Sequence, residues 1–119
     1  MKISFSGHRD KLAKESDLES ILKDYPDSVW VHGGAIGFDT QVETFARKHN
    51  IKTIVIRPNY EKFGKRAPLI RNDEILELGE ILVALYDGRK SGGTFYTITK
   101  AKKLGKKVLL IKPLSNFGF

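Results

Sequence analysis

Between Glu80 and Asp87 the chain runs through six consecutive apolar residues, Ile81-Leu82-Val83-Ala84-Leu85-Tyr86. Such a run has no polar face to offer to water. As a strand it must be covered on both sides, the condition of a central strand in a parallel sheet. The rest of the chain is punctuated to match. Lys2–Ser6 alternates, with Ile3 and Phe5 on one face. Ser28–His32, Thr53–Ile56 and Val108–Ile111 read as further strands. Helical periods separate them. Leu18, Ile21, Leu22 and Tyr25 follow Ser16 and Glu19 at capping-box spacing. Phe38, Val42, Phe45, Ala46 and His49 share a second helix face, a third helix spans about Leu69–Leu78, and a fourth runs Thr94–Leu104 to a stop at Gly105. Residues 58–68 lack a period and read as a functional loop with at most a helical turn. Strand–helix alternation of this kind predicts an α/β, Rossmann-like three-layer domain over residues 1–119, with a parallel sheet of about five strands and helices on both faces.

Three glycine-bearing turns stand at strand-to-helix junctions: Ser6-Gly7-His8-Arg9-Asp10, His32-Gly33-Gly34-Ala35-Ile36-Gly37-Phe38-Asp39 and Ser91-Gly92-Gly93-Thr94. In an open parallel sheet all three lie at the carboxyl end of the strands, where ligands bind. The second and third lead into helix amino termini, whose free N–H groups and positive dipole favour anions. These turns predict a site for a phosphate-bearing molecule, a nucleotide foremost. Ser91, Gly92, Gly93 and Thr94 form its leading phosphate candidate, with an ordinary Thr94 helix cap as the structural alternative. Gly33, Gly34, Gly37 and Asp39 form a second wall, where Asp39 either caps its helix or accepts from a ligand hydroxyl. Arg9, beside Gly7, and Arg71-Asn72, early in their helix, are anion-binding candidates; the alternative is an ion pair to Asp10, Asp39 or Asp73. Asp87 ends the apolar strand and, with Asp39, is a candidate catalytic carboxylate or else a turn residue. His8 and His32 flank glycine turns, where packing or hydrogen bonding is the ordinary role; a polar pair at the sheet edge and a catalytic role are the alternatives.

The net charge of +7 points to an anionic partner or, equally, to a solvated basic surface. Lys62, Lys65 and Arg66, interleaved with Tyr60 and Phe63, suit single-stranded nucleic acid, and equally a lid over a nucleotide or a solvated loop. Lys100, Lys102, Lys103, Lys106 and Lys107 lie late in a helix and in the following turn, where the helix dipole alone favours cations. The chain has no cysteine, so disulfides, zinc knuckles and thiol nucleophiles are excluded. No metal site or cofactor is expected. No apolar stretch approaches the ~20 residues of a membrane span, and no signal peptide is read at the start, so a cytoplasmic location is expected.

Gly7-His8-Arg9, His32-Gly33-Gly34-Ala35 with Gly37 and Asp39, Arg71-Asn72, Gly92-Gly93-Thr94 and Gly105-Lys106-Lys107-Val108 together resemble the SLOG superfamily. That Rossmann-like group includes the LOG phosphoribohydrolases, the DprA/Smf proteins and small stand-alone nucleotide-binding members, and the chain looks closest to the last. The resemblance implies a nucleotide derivative held between the turns after the second and fourth strands, contacted by Gly33, Gly34, Arg71, Gly92, Gly93 and Thr94, in a homodimer. The tail, residues 113–119, has two aromatics (Phe117 and Phe119) and no period, and reads as a segment that packs on a partner subunit. LOG enzymes carry a glutamate three residues after the threonine of the glycine-rich turn; here that position is Thr97. Binding or sensing is therefore the leading expectation. N-glycosidic cleavage of nucleoside 5′-monophosphates and DprA-like binding of single-stranded DNA are the alternatives that the resemblance implies.

Overall fold

The computed structural model describes residues 1–114. Five strands, β1 (Lys2–Gly7), β2 (Val29–His32), β3 (Thr53–Val55), β4 (Ile81–Leu85) and β5 (Lys107–Ile111), form one sheet in the order β3-β2-β1-β4-β5. Every pairing is parallel, with Ile3 opposite both Trp30 and Ile81. Five helices cover it: α1 (Glu15–Asp24), α2 (Phe38–Lys48), α3 (Tyr60–Phe63), α4 (Ala67–Leu78) and α5 (Gly92–Lys103). No helix among the described residues is long and apolar enough to cross a membrane.

The apolar run acts as its composition requires. All five residues of β4 are buried, and successive side chains enter opposite cores. Val83 and Leu85 join Ile3, Phe5, Leu18, Trp30, Phe38, Val42 and Phe45 on the side of α1 and α2. Leu82 and Ala84 join Leu76, Ile98 and Ala101 on the side of α4 and α5. Each buried side chain of leucine or valine size contributes about 1.5–3 kcal/mol. Trp30 is stacked on Phe45 (ring centroids 5.5 Å apart, planes 3° from parallel), and its Nε1 donates to Ser28 Oγ (2.9 Å).

Two helix boundaries differ from the expectation. α1 has its amino-terminal cap at Lys14, and Ser16 lies inside the helix. The cause is a contact 28 residues away: the Gln41 amide accepts from Ala13 N–H and donates to Ala13 C=O, both at 2.8 Å, which sets the chain direction just before Glu15. α5 starts at Gly92, capped at Ser91, so Thr94 is its third residue rather than its cap. The stop at Gly105 is as expected. With φ +70°, it lets its own N–H reach Lys102 C=O (3.1 Å) and Lys106 N–H reach Ala101 C=O (3.0 Å), a Schellman ending. The loop 58–68 holds α3, capped by Asn59, which accepts from Lys62 N–H (3.1 Å), and a 3-10 turn at Gly64–Arg66 that runs into α4.

Two lysines of the basic cluster at the end of α5 have structural partners. Lys106 Nζ donates to the carbonyls of Leu76 and Gly79 (2.7 Å to the latter), closing the carboxyl end of α4. Lys100 pairs with Asp73 (2.9 Å). Lys106→Met should therefore lower stability by about 1–2 kcal/mol, read as a lower denaturation midpoint at unchanged slope, because two helix-end carbonyls lose their donor. Pro113 pairs with Ala13, and Leu114 N–H donates to Leu12 C=O (2.8 Å), so the start of the tail lies on its own chain. Residues 115–119, where packing on a partner was expected, lie outside the described residues.

Candidate functional site

The strand order reverses at β1. The chain steps outward from it to β2 and β3, then returns on its other side to β4 and β5. The carboxyl end of β1 and β4 is therefore the switch point, where an open α/β sheet leaves a crevice. A cavity of about 410 Å³ opens there. The turn after β1 forms one wall (Gly7, His8, Arg9, Asp10), Pro68, Arg71, Asn72 and Ile75 of α4 a second, and Gly92, Gly93, Thr94 and Thr97 of α5 a third. Ala35, Asp39 and Arg89 complete it. Its size falls within the roughly 300–1,000 Å³ typical of small-molecule sites.

Arg71 is the buried one of the three arginines that line this cavity. It is 7% exposed, and its Nη1 donates to Gly33 C=O (2.8 Å) while Nε donates to Asn72 Oδ1 (3.0 Å). Nη2 makes no hydrogen bond to the described residues. Neither Arg71 nor Arg9 forms an ion pair among them; Asp10 is taken by Arg89 and Asp73 by Lys100. Burial pulls the Arg71 pKa down, with Asp39 the largest opposing influence. A guanidinium stays charged even when buried, and burial without a carboxylate in ion-pair contact is costly, so an anion beside it is favoured. Asn72 spends its carbonyl on Arg71, which leaves its amide nitrogen to face the Gly93 backbone. At the start of α5, the Ser91 side chain supplies no cap, so the first-turn N–H groups are not claimed by it.

The glycine turns divide by what faces them. A side chain at Gly92 would meet nothing within 4 Å, and one at Gly93 would meet only Asn72 Nδ2, at 3.2 Å. That turn is open to a ligand. In the second turn a Cβ at Gly33 would fall 2.4 Å from Arg71 Nη1, at Gly34 2.8 Å from Arg57 Nη1, and at Gly37 2.3 Å from Arg9 C=O. These three line up against the chain itself and lie outside the cavity lining. Gly7 lines the cavity and is also pressed on the Phe38 ring, 2.3 Å from a Cβ.

The acids are largely committed. Asp39 Oδ2 accepts from Gly33 and Ala35 N–H, both at 3.2 Å, and ties the second turn to α2. Burial raises its pKa against the opposing Ala35 bond and the nearby His32 and Arg71. Asp87 is held by Arg89 through Nε and Nη2 (2.6 Å for Nη2), and that bonding keeps its carboxyl far below the usual range. Arg89 Nη2 also reaches Asp10 (3.1 Å), linking the first and last turns across the cavity rim. Thr97, 1% exposed, lines the cavity wall and donates to Gly93 C=O (2.8 Å). Among the described residues no group of three or more His, Cys, Asp or Glu side chains is placed to hold a metal ion.

The two histidines do not pair with each other; both are hydrogen-bonded, and each meets a different acid. His32 Nδ1 accepts from Gly34 N–H (3.0 Å), which places the ring proton on Nε2 and gives it to Glu43 Oε1 (2.7 Å). His8 Nε2 accepts from Asp87 N–H (3.2 Å) and lies 3.1 Å from Asp87 Oδ1. Burial lowers the His8 pKa, and Asp87 offsets only part of that. The unfolded chain therefore binds more protons at this position, and the His8 contribution to stability is present above about pH 6.5 and is lost as pH falls through the lowered folded value. His8→Gln should flatten the decline in thermal midpoint between roughly pH 6.5 and 5; an unchanged slope would assign it to other groups. Lys62, Lys65 and Arg66 lie outside the cavity lining on α3 and the turn after it, and none forms an ion pair among the described residues.

Arg89 and Thr97 are cavity residues that the sequence reading did not assign to the site. The signal for Arg89 was local: Gly88, at φ +95°, folds the turn so that residues 87 and 89 face each other. Thr97 lies one helical turn after Gly93, on the same face of α5.

Three comparisons place this geometry among known proteins. The structure aligns with DNA processing protein A (DprA) from Streptococcus pneumoniae at a TM-score of 0.70 and 21% identity, over 98% of this chain and 52% of that one, so the chain spans about half the length of that protein. It is 30% identical over 95 residues to the Gene 61 protein of Mycobacterium phage D29, covering 76% of this chain and 71% of that protein. A family model described as "YspA, cpYpsA-related SLOG family" matches residues 1–63, which carry β1, β2 and the first two glycine turns. That match covers more than half of the 119 residues, and the chain belongs to the YspA, cpYpsA-related SLOG family.

Proposed function

We propose that the cavity between β1, α4 and α5 binds a phosphate-bearing small molecule, a nucleotide or nucleotide derivative. The observation that carries this is Arg71: a cation 7% exposed on the cavity wall, without an ion-pair partner among the described residues. A bound phosphate compensates that charge, with the open amino terminus of α5 and the Asn72 amide supplying further donors. Binding is favoured over N-glycosidic cleavage by the state of the carboxylates. Asp87 is neutralised by Arg89, Asp39 is tied to two backbone N–H groups, and Thr97 brings a hydroxyl rather than a carboxylate to the cavity wall.

The test is thermal stability of the protein against nucleoside mono-, di- and triphosphates, ribose 5-phosphate and inorganic phosphate. A ligand at a hundredfold excess over its dissociation constant stabilises the folded state by about 2.7 kcal/mol. A saturable shift that survives moderate salt is expected from at least one of them, without release of free base. No shift from any phosphate compound would reject the proposal. Single-stranded DNA binding is the second reading, motivated by the unpaired Lys62, Lys65 and Arg66 beside the start of α4. It requires an affinity that falls steeply with salt and a shallower slope on charge reversal at those three positions.

A further inference from the structure

Gly92 and Gly93 border two concavities. Beyond them, away from the cavity, lies an open groove of about 700 Å³. Leu69 of α4 and Phe95, Tyr96, Thr99, Lys100 and Lys103 of α5 line it. The α5 residues recur at three- and four-residue steps, so they form one face of the helix. The cavity and the groove share only the two glycines, and a side chain at Gly92 would meet nothing within 4 Å. Backbone without side chains at the start of α5 thus forms a saddle between the two, with only the Asn72 amide close to Gly93.

The chemistry changes across that saddle. The cavity offers arginines and backbone donors. The groove offers the half-buried rings of Phe95 and Tyr96 and the 40% exposed Leu69. Tyr96 is held in place: its hydroxyl donates to Asp73 (3.0 Å), which also pairs with Lys100, and the Lys100 ammonium lies 5.9 Å from the ring centroid. A ligand with an anionic end and a flat apolar end fits the two halves in that order.

We infer that the groove is the base subsite of the ligand whose phosphate occupies the cavity. A nucleoside phosphate lays its base across Gly92 and Gly93 and onto Phe95 and Tyr96. The inference rests on the phosphate reading of the cavity and adds where the rest of the ligand goes. A second copy of the chain on this face would leave the continuity of the two concavities without a use.

The experiment is calorimetric titration of the wild-type protein with inorganic phosphate, ribose 5-phosphate and the four ribonucleoside 5′-monophosphates, repeated on Leu69→Glu and Phe95→Ala. At least one monophosphate should bind about tenfold or more tighter than ribose 5-phosphate, in line with base stacking on an aromatic side chain. Either variant should erase that advantage and leave ribose 5-phosphate affinity unchanged. Leu69 is exposed, so its variant reports even if Phe95→Ala unfolds. Equal affinity for ribose 5-phosphate and every monophosphate overturns the inference and leaves the phosphate site standing. So does a base advantage that survives Leu69→Glu, or a Leu69→Glu protein that changes only its sedimentation from dimer to monomer. If no phosphate compound binds the wild type, the phosphate reading falls and the base subsite with it.

Discussion

Arg71→Gln should weaken binding of any phosphate-bearing ligand by roughly ten- to hundredfold, the effect of losing charge-assisted hydrogen bonds worth about 1.5–3 kcal/mol. The same substitution should leave the ligand-free protein within about 1 kcal/mol of wild type, or more stable. The two expectations have one cause. Without ligand the guanidinium is taken from water with no ion-pair partner among the described residues, and burial pulls its pKa down further than the nearby Asp39 carboxylate raises it. Removing the charge removes that cost. It sacrifices two neutral-acceptor bonds, to Gly33 C=O and Asn72 Oδ1, and the glutamine amide keeps a donor near them. With ligand bound, the charge is compensated and its removal is felt in full. Thermal unfolding with and without ligand separates the terms. A variant that loses several kcal/mol without ligand would make Arg71 a bolt between α4 and the second turn rather than a binding group.

Gly37→Ala should destabilise the protein by about 3–5 kcal/mol, lowering the thermal midpoint by roughly 10 °C or more. Gly37 precedes α2 at φ +81° and ψ −124°, a region that side-chain-bearing residues avoid. A Cβ there would stand 2.3 Å from Arg9 C=O, 2.6 Å from its carbonyl carbon and 2.8 Å from its Cα. These are backbone atoms of the turn after β1, so neither partner can swing aside. Gly105→Ala is the matched control. It has φ +70° with nothing within 4 Å of a Cβ, so only the conformational cost remains, about 1 kcal/mol. Equal losses at the two positions would show that the Arg9 contact relaxes. The close approach also bears on function, because Arg9 lines the cavity and the Gly37 turn sets where its backbone runs.

Local chemistry made several elements legible. The six-residue apolar run implied a strand with two covered faces, since no other arrangement hides side chains that alternate without a polar partner. Gly105 implied the end of α5, because a left-handed residue at that point closes the last carbonyls at low cost. The three glycine turns implied a site at the carboxyl edge, because strand–helix alternation puts every such turn at the same end of a parallel sheet. Gly92 and Gly93 could be read as open to a ligand because a Cβ at Gly92 would meet nothing within 4 Å and one at Gly93 only the tip of the Asn72 amide.

What depended on residues far apart in the chain was decided only by the tertiary structure. Two adjacent glycines at 33 and 34 look like a ligand approach in sequence, yet the atoms that require them belong to Arg71 and Arg57, 38 and 23 residues on. The start of α1 answers to Gln41, and the end of α4 to Lys106. Whether Arg9 and Arg71 were paired or free was a question of what reached the carboxylates first: Arg89 took Asp10, Lys100 took Asp73, and the Gly33 and Ala35 N–H groups took Asp39. Periodicity and turn chemistry act within a few residues, so the sequence by itself determined the α/β class, the sheet's buried centre and the edge at which the glycine turns gather. The partner of each charge and the space before each glycine arise from side chains meeting across the sheet, and only the assembled fold specifies them.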